Sequence, residues 1–234
     1  MSIQPAPNLA RDFVNRLFGV LSGSSRFQAP PPEDVLQTYR DKLDSEFNGT
    51  VTRLAHGLSD DTITPDEFEL AFKEAIRQHE LSSAVVGAGG AHLATPETYA
   101  QAQQAVDVQM GYFDHWMVQI RSGEVFSPQQ MANRARMYGE FAGQTYERSK
   151  VQALGVPTLP FYPKDRTLCR VGCCCSWRVE VVRGSSNYNV YWELDPECDH
   201  CAVCVARERA CSPIRVRAGI ILNPEKYLAA NLYA

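Results

Sequence analysis

Residues 169–211 read CRVGCCCSWRVEVVRGSSNYNVYWELDPECDHCAVCVARERAC, and their reading decides the fold. All eight cysteines of the 234-residue chain fall here, and the first 168 residues contain none. The order is Cys169-x3-Cys173-Cys174-Cys175, then Trp177–Val182 and Tyr188–Leu194, then Cys198-x2-Cys201-x2-Cys204, then Cys211. The two middle segments are rich in β-branched and aromatic residues, and RGSSN between them is turn material, so they predict a β-hairpin. The outer ends of an antiparallel hairpin are neighbours in space. The cysteines before strand one therefore meet those after strand two.

Zinc takes four soft or borderline ligands in a tetrahedron, and two cysteines a few residues apart in a tight turn can reach one ion. The expected site is one structural Zn2+ held by Cys169, Cys173, Cys201 and Cys204 in a small zinc-ribbon-like β lobe. There are more sulfurs than one ion needs. Cys175 can replace Cys169 through a C-x-C chelate, Cys198 can replace Cys204, and His200 is a weaker nitrogen candidate. Eight cysteines could serve two ions, but the triplet Cys173–Cys175 makes that geometrically awkward. The competing reading is two or three disulfides, or free buried thiols. An iron–sulfur cluster lacks any ferredoxin-type spacing.

Such a metal is expected to be a staple. A catalytic zinc keeps an open position and usually employs His or Glu, and nothing like HExxH occurs among His56, His79, His92, His115 and His200. A lobe this small is not expected to hold itself together by burial alone, and is read as coreless apart from its metal. No enzyme activity is expected and no catalytic residue is assigned.

Upstream, the pattern changes to a helical period. Residues 1–163 carry 13 Lys+Arg against 19 Asp+Glu, whereas residues 164–217 carry 9 against 7. The shift falls at GVPTLPFYP, whose prolines cannot continue a helix. The predicted organisation is an amphipathic arm (1–23), a Pro-rich linker (24–32), a helical domain (33–156), the β lobe (157–222) and a tail (223–234). The start is read as a short amphipathic helix over 8–21 rather than a signal peptide. It carries Phe13, Val14, Leu17, Phe18 and Leu21, and is read either as docking on its own core or, as the Pro-rich linker after it favours, as an arm lying in a neighbour's groove.

Within the helical domain, one helix is predicted over about 33–58. Thr64-Pro65-Asp66-Glu67 opens another with a capping box, Thr95-Pro96-Glu97 a third, and Ser127-Pro128-Gln129-Gln130 a fourth, again with a capping box. The last two, joined by SGEVF, are expected to form a long antiparallel hairpin. Gly87–Gly90 lacks the Lys-Ser/Thr of a phosphate-cradling loop and is read as a flexible connection. Trp116 and Trp177 sit in apolar patterns and are expected in the core. Ile214–Leu222 is expected to add a strand bent at Gly219. The fold class is thus α+β.

Net charge is −4 for the whole chain, which argues against a surface given over to nucleic acid. No apolar run approaches the roughly 20 residues a membrane span needs. The arginines around the lobe (Arg170, Arg178, Arg183, Arg207, Arg209, Arg215 and Arg217) are read as a solvated face, with a phosphate-contacting patch as the lesser reading.

The run from Arg134 to Trp177, RARMYGEFAGQTYERSKVQALGVPTLPFYPKDRTLCRVGCCCSW, resembles a segment of tailed-bacteriophage head-morphogenesis proteins. The shared elements are Leu159-Pro160, Cys173-x-Cys175-x-Trp177 and Cys201-x2-Cys204, spanning roughly the C-terminal 80–100 residues. The two cysteine elements stand in the opposite order to that of Mu-type minor head proteins. The resemblance implies a virion structural protein near the portal or capsid, made in the host cytoplasm and present in several copies. Its expected partners are other phage structural proteins (portal, capsid or connector) and further copies of itself, with nucleic acid secondary and no membrane. A zinc-ribbon nucleic-acid-binding protein is the alternative.

Overall fold

Thr64, Thr95 and Ser127 each stand one residue before a proline, and each begins a helix. In all three the side-chain oxygen accepts the backbone N–H three residues on, and that residue's side chain reaches back to the cap. The two expected capping boxes are present, and Thr95 with Thr98 makes one more. The computed structural model describes residues 31–124, 126–164, 173–182, 186–211 and 213–229. The arm over 8–21, nearly all of the linker, Cys169, Arg170 and Arg183 lie outside the described residues.

Four long helices follow one another: α1 (Glu33–Ser59), α2 (Pro65–Gly87), α3 (Pro96–Arg121) and α4 (Pro128–Ala153). They run alternately up and down. The expected hairpin of α3 and α4 is antiparallel, with Trp116 stacked on Tyr138 and Gln119 accepting from Arg134. It does not stand alone, because α2 packs against all three other helices. Phe68, Phe72, Phe113, Trp116 and Tyr138 form one aromatic core, with Phe72 stacked on Phe113 at 4.6 Å. Trp116 is fully buried, as its pattern predicts.

The Gly87–Gly90 connection differs from its expected flexible character. All four residues are buried, and a Cβ on Gly87 would lie 2.3 Å from the Tyr146 carbonyl oxygen. Glycine is needed there because the backbones of α2 and α4 approach closely.

Beyond α4 the period changes to two. Strands β1 (Ser176–Val181) and β2 (Tyr188–Glu193) pair antiparallel with Trp177 opposite Trp192. Helix α5 (Ala202–Ala210) follows, then β3 (Ile214–Arg217) and β4 (Ile220–Ile221), and finally α6 (Pro224–Ala229). The sheet order is β1-β2-β3-β4 and every pair is antiparallel. The strand expected over Ile214–Leu222 is a tight hairpin: Ala218 and Gly219 both take positive φ, 49° and 77°, as a two-residue turn matching strand twist requires.

The lobe is not coreless: it has a buried cluster of its own. Trp177 and Trp192 meet edge-on at 5.0 Å and Phe161 packs on both. Val156, Leu159, Phe161 and Tyr162 from the proline-rich stretch fill it, with Val190, Ile214, Val216 and Tyr227. Val151 at the end of α4 belongs to the same cluster, so the lobe is seated on the bundle. Gly155 makes the seating possible. It ends α4 at φ 85°, and a Cβ there would meet the Tyr188 hydroxyl at 2.7 Å.

Candidate metal centre

Cys173, Cys174 and Cys175 lie just ahead of β1, and their burial alternates along the chain. Cys173 and Cys175 are buried together, 4% and 2% exposed, while Cys174 turns outward and is half-buried. The triplet splits into an inward pair and a lone outward thiol.

The second arm leaves β2 through Asp195-Pro196-Glu197. Here the Asp195 carboxylate accepts the Glu197 N–H at 2.9 Å and its carbonyl accepts the Cys198 N–H at 3.1 Å. The turn delivers Cys201 as the N-cap of α5 and Cys204 within its first turn. Short C-x2-C spacing at a helix start brings two sulfurs to one side, where the positive end of the helix dipole favours thiolates. The pair opens a helix rather than another strand, a departure from a lobe built of strands alone that periodicity did not reveal.

The sulfurs converge. Cys173 Sγ lies 3.9 Å from Cys204 Sγ, and Cys204 Sγ lies 3.6 Å from Cys201 Sγ. Cys173, Cys175 and Cys204 all lie within 4.8 Å of one another. Zinc–sulfur bonds of about 2.3 Å in a tetrahedron put sulfurs about 3.8 Å apart, so the spacing suits one ion. This cluster could hold a metal ion. His200 adds a nitrogen: its Nδ1 is 3.8 Å from Cys175 Sγ, and its Nε2 lies 2.8 Å from the Asp195 carbonyl oxygen. With Nε2 donating there, the Nδ1 lone pair faces the sulfurs, which is how outer partners orient a ligating histidine.

The three thiols are electrostatically coupled. S–H donation from Cys175 and Cys204 holds the Cys173 thiol far below its ordinary range. The same contacts push Cys175 up to about 12 and Cys204 higher still.

Of the four ligands read from spacing, the structure brings Cys204 to both Cys173 and Cys201, but Cys201 stands outside the trio of mutually close sulfurs, and Cys169 lies outside the described residues. Cys175 stands beside Cys173 in the C-x-C arrangement anticipated for it. Cys198 does not approach Cys204 as a substitute ligand; it forms a disulfide with the outward-facing Cys174. That bond ties the two arms behind the cluster. Cys211 is wholly buried in the lobe core, and desolvation pushes its thiol up to about 12.

The arginines sort themselves. Arg207 is fully buried, its guanidinium 4.4 Å from the Phe161 ring and 5.3 Å from that of Trp192. Arg178 pairs with Glu180 and Glu193 and stacks on Tyr191. Arg217 donates to the Tyr188 carbonyl and to Asn189. Among the described members of the set, Arg209 and Arg215 are exposed. A cleft of about 910 Å3 separates α1 from the hairpin, and acidic side chains, Asp41, Asp44, Glu193 and Asp195 among them, outnumber basic ones on its walls. Among the described residues, neither surface forms a continuous track for phosphates.

No helix among the described residues is long and apolar enough to cross a membrane. Comparison of the chain with protein-family models, with curated proteins and with solved structures finds no match.

Proposed function

We propose that this chain is a structural component of a tailed-bacteriophage particle, a minor head or portal-proximal protein with a structural zinc in its C-terminal lobe. The observation that carries the metal part is the convergence of Cys173, Cys175 and Cys204, all buried, with Cys201 3.6 Å from Cys204. A shell of buried thiolates is closed, and a closed shell leaves no position for substrate or activated water. The preferred ligand set is Cys173, Cys175, Cys201 and Cys204, with His200 as the competitor for the place of Cys201.

The virion assignment rests on the resemblance of residues 134–177 to phage head-morphogenesis proteins, and the architecture is compatible with it. The four helices offer long faces for contacts with portal, capsid or connector proteins and with further copies. The lobe is a rigid knob clasped by a metal and a disulfide. Catalysis is no part of the proposal. The nucleic-acid-binding alternative is weakened by the commitment of Arg178, Arg207 and Arg217 to internal partners.

The test has two arms. Mass spectrometry of purified particles from a phage carrying this gene is expected to find the chain in the virion, and its absence there overturns the assembly role. DNA binding measured at two salt concentrations is expected to be weak and nearly flat. Steep salt dependence would favour the alternative.

A further inference from the structure

Helix α3 has two stripes. Ala102, Val106, Gln109, Phe113, Trp116 and Met117 are buried against the bundle. On the other side Val108, Gly111, Tyr112, His115 and Val118 are exposed, with Tyr112 at 59% and Val118 at 68%. These recur at steps of three and four residues, so they share one face. The Tyr112 ring lies 6.2 Å from that of Phe141 on α4, which widens the apolar strip.

Gly111 is at the centre of this face. A Cβ there would meet nothing within 4 Å, so nothing among the described residues calls for glycine. A mid-helix glycine costs about 1 kcal/mol relative to alanine. What bare backbone offers in return is close approach by another helix.

Charge identifies that helix. Asp107 and His115 stand four residues either side of Gly111, and both are exposed. In a two-fold antiparallel crossing centred on Gly111, each Asp107 lies opposite the partner's His115. The exposed Gln104 lies opposite the partner's Val118. An isologous interface must be self-complementary, and an acid and a base placed symmetrically about a glycine satisfy that requirement.

We infer that the outer face of α3 is a dimerisation surface whose occupant is the same face of a second copy, the two helices crossing antiparallel at Gly111. Tyr112 and Phe141 form its apolar flank. The inference rests on the self-association in the proposed function and gives it an address; it does not depend on the metal.

Sedimentation equilibrium of the full chain over a range of concentrations tests it. The wild type is expected to show a monomer–dimer equilibrium. Gly111→Leu is expected to raise the dissociation constant at least tenfold without lowering the monomer's helical content or thermal midpoint, since the added side chain points into open space there and leucine favours helix over glycine. Asp107→His and His115→Asp are each expected to weaken the dimer, and the double exchange to restore it. An unchanged dissociation constant in Gly111→Leu overturns this interface while leaving self-association by another surface. A double exchange that stays weak overturns the antiparallel register. A wild type that is monomeric throughout overturns both the interface and the multi-copy part of the proposed function.

Discussion

The Glu147 carboxylate of α4 accepts the backbone N–H of Trp177 on β1 at 3.0 Å, so one buried acid joins the bundle to the sheet. Glu147 is 1% exposed, and Arg40 and Lys150 approach it at 3.5 and 3.2 Å. Lys150 also reaches Glu33 at the start of α1. The network places the Trp177 strand, and with it the Cys173–Cys175 arm, against the helices. Glu147→Ala leaves two cations and a strand N–H without their shared acceptor. The expected loss is about 3–5 kcal/mol in urea unfolding, with an altered near-ultraviolet signal from Trp177.

Glu80 sets a pH dependence. It is fully buried in α2, with Gln109 donating to it, and desolvation pushes its carboxyl up to about 7. Between the unfolded value near 4.5 and about 7, the native state holds a proton that the unfolded chain has released. Its contribution to stability is therefore full at the acid end and falls as pH rises through 7, by about 3 kcal/mol in all. Glu80→Gln is expected to be more stable than wild type at pH 8 and to lose that difference by pH 5. Paired urea titrations at the two pH values check the sign.

Gly87→Ala places a methyl 2.3 Å from the Tyr146 carbonyl oxygen. Backbone must yield, and the expected cost is about 3 kcal/mol. A thermal midpoint equal to that of wild type would show that α2 and α4 separate readily at this point.

The fourth ligand can be assigned by substitution. Cys201→Ser is expected to lower zinc affinity by at least tenfold, whereas His200→Ala is expected to lower it less, because His200 competes for a position that Cys201 fills. Competition against a chromophoric chelator reads both. The reverse order would give the fourth position to His200.

Much of this was legible in the sequence, for identifiable reasons. Proline after Thr64, Thr95 and Ser127 fixed three helix starts, since caps are local chemistry. The hairpin was legible because alternation and turn residues are local too. Spacing alone does not say which way each of three successive cysteines faces; the structure buries Cys173 and Cys175 together and sets Cys174 against Cys198. Helix α5 was hidden because the cysteines dominate the reading of Cys201–Cys211, although AVCVARERA is good helix-forming sequence. The lobe core was not legible because Val156, Leu159, Phe161 and Tyr162 come to it from the proline-rich stretch, and Phe161 beside Trp177 and Trp192 is a long-range contact with no periodicity to announce it.

The most direct test of the central claim, that the cysteine arms are built around a structural metal, is elemental analysis of the purified full chain combined with X-ray absorption at the zinc edge. The account predicts one zinc per chain with sulfur-dominated coordination at about 2.3 Å, lost together with the Trp177 and Trp192 near-ultraviolet signal when Cys173 and Cys204 are replaced by serine. A metal-free chain that keeps that signal and its thermal midpoint would contradict it.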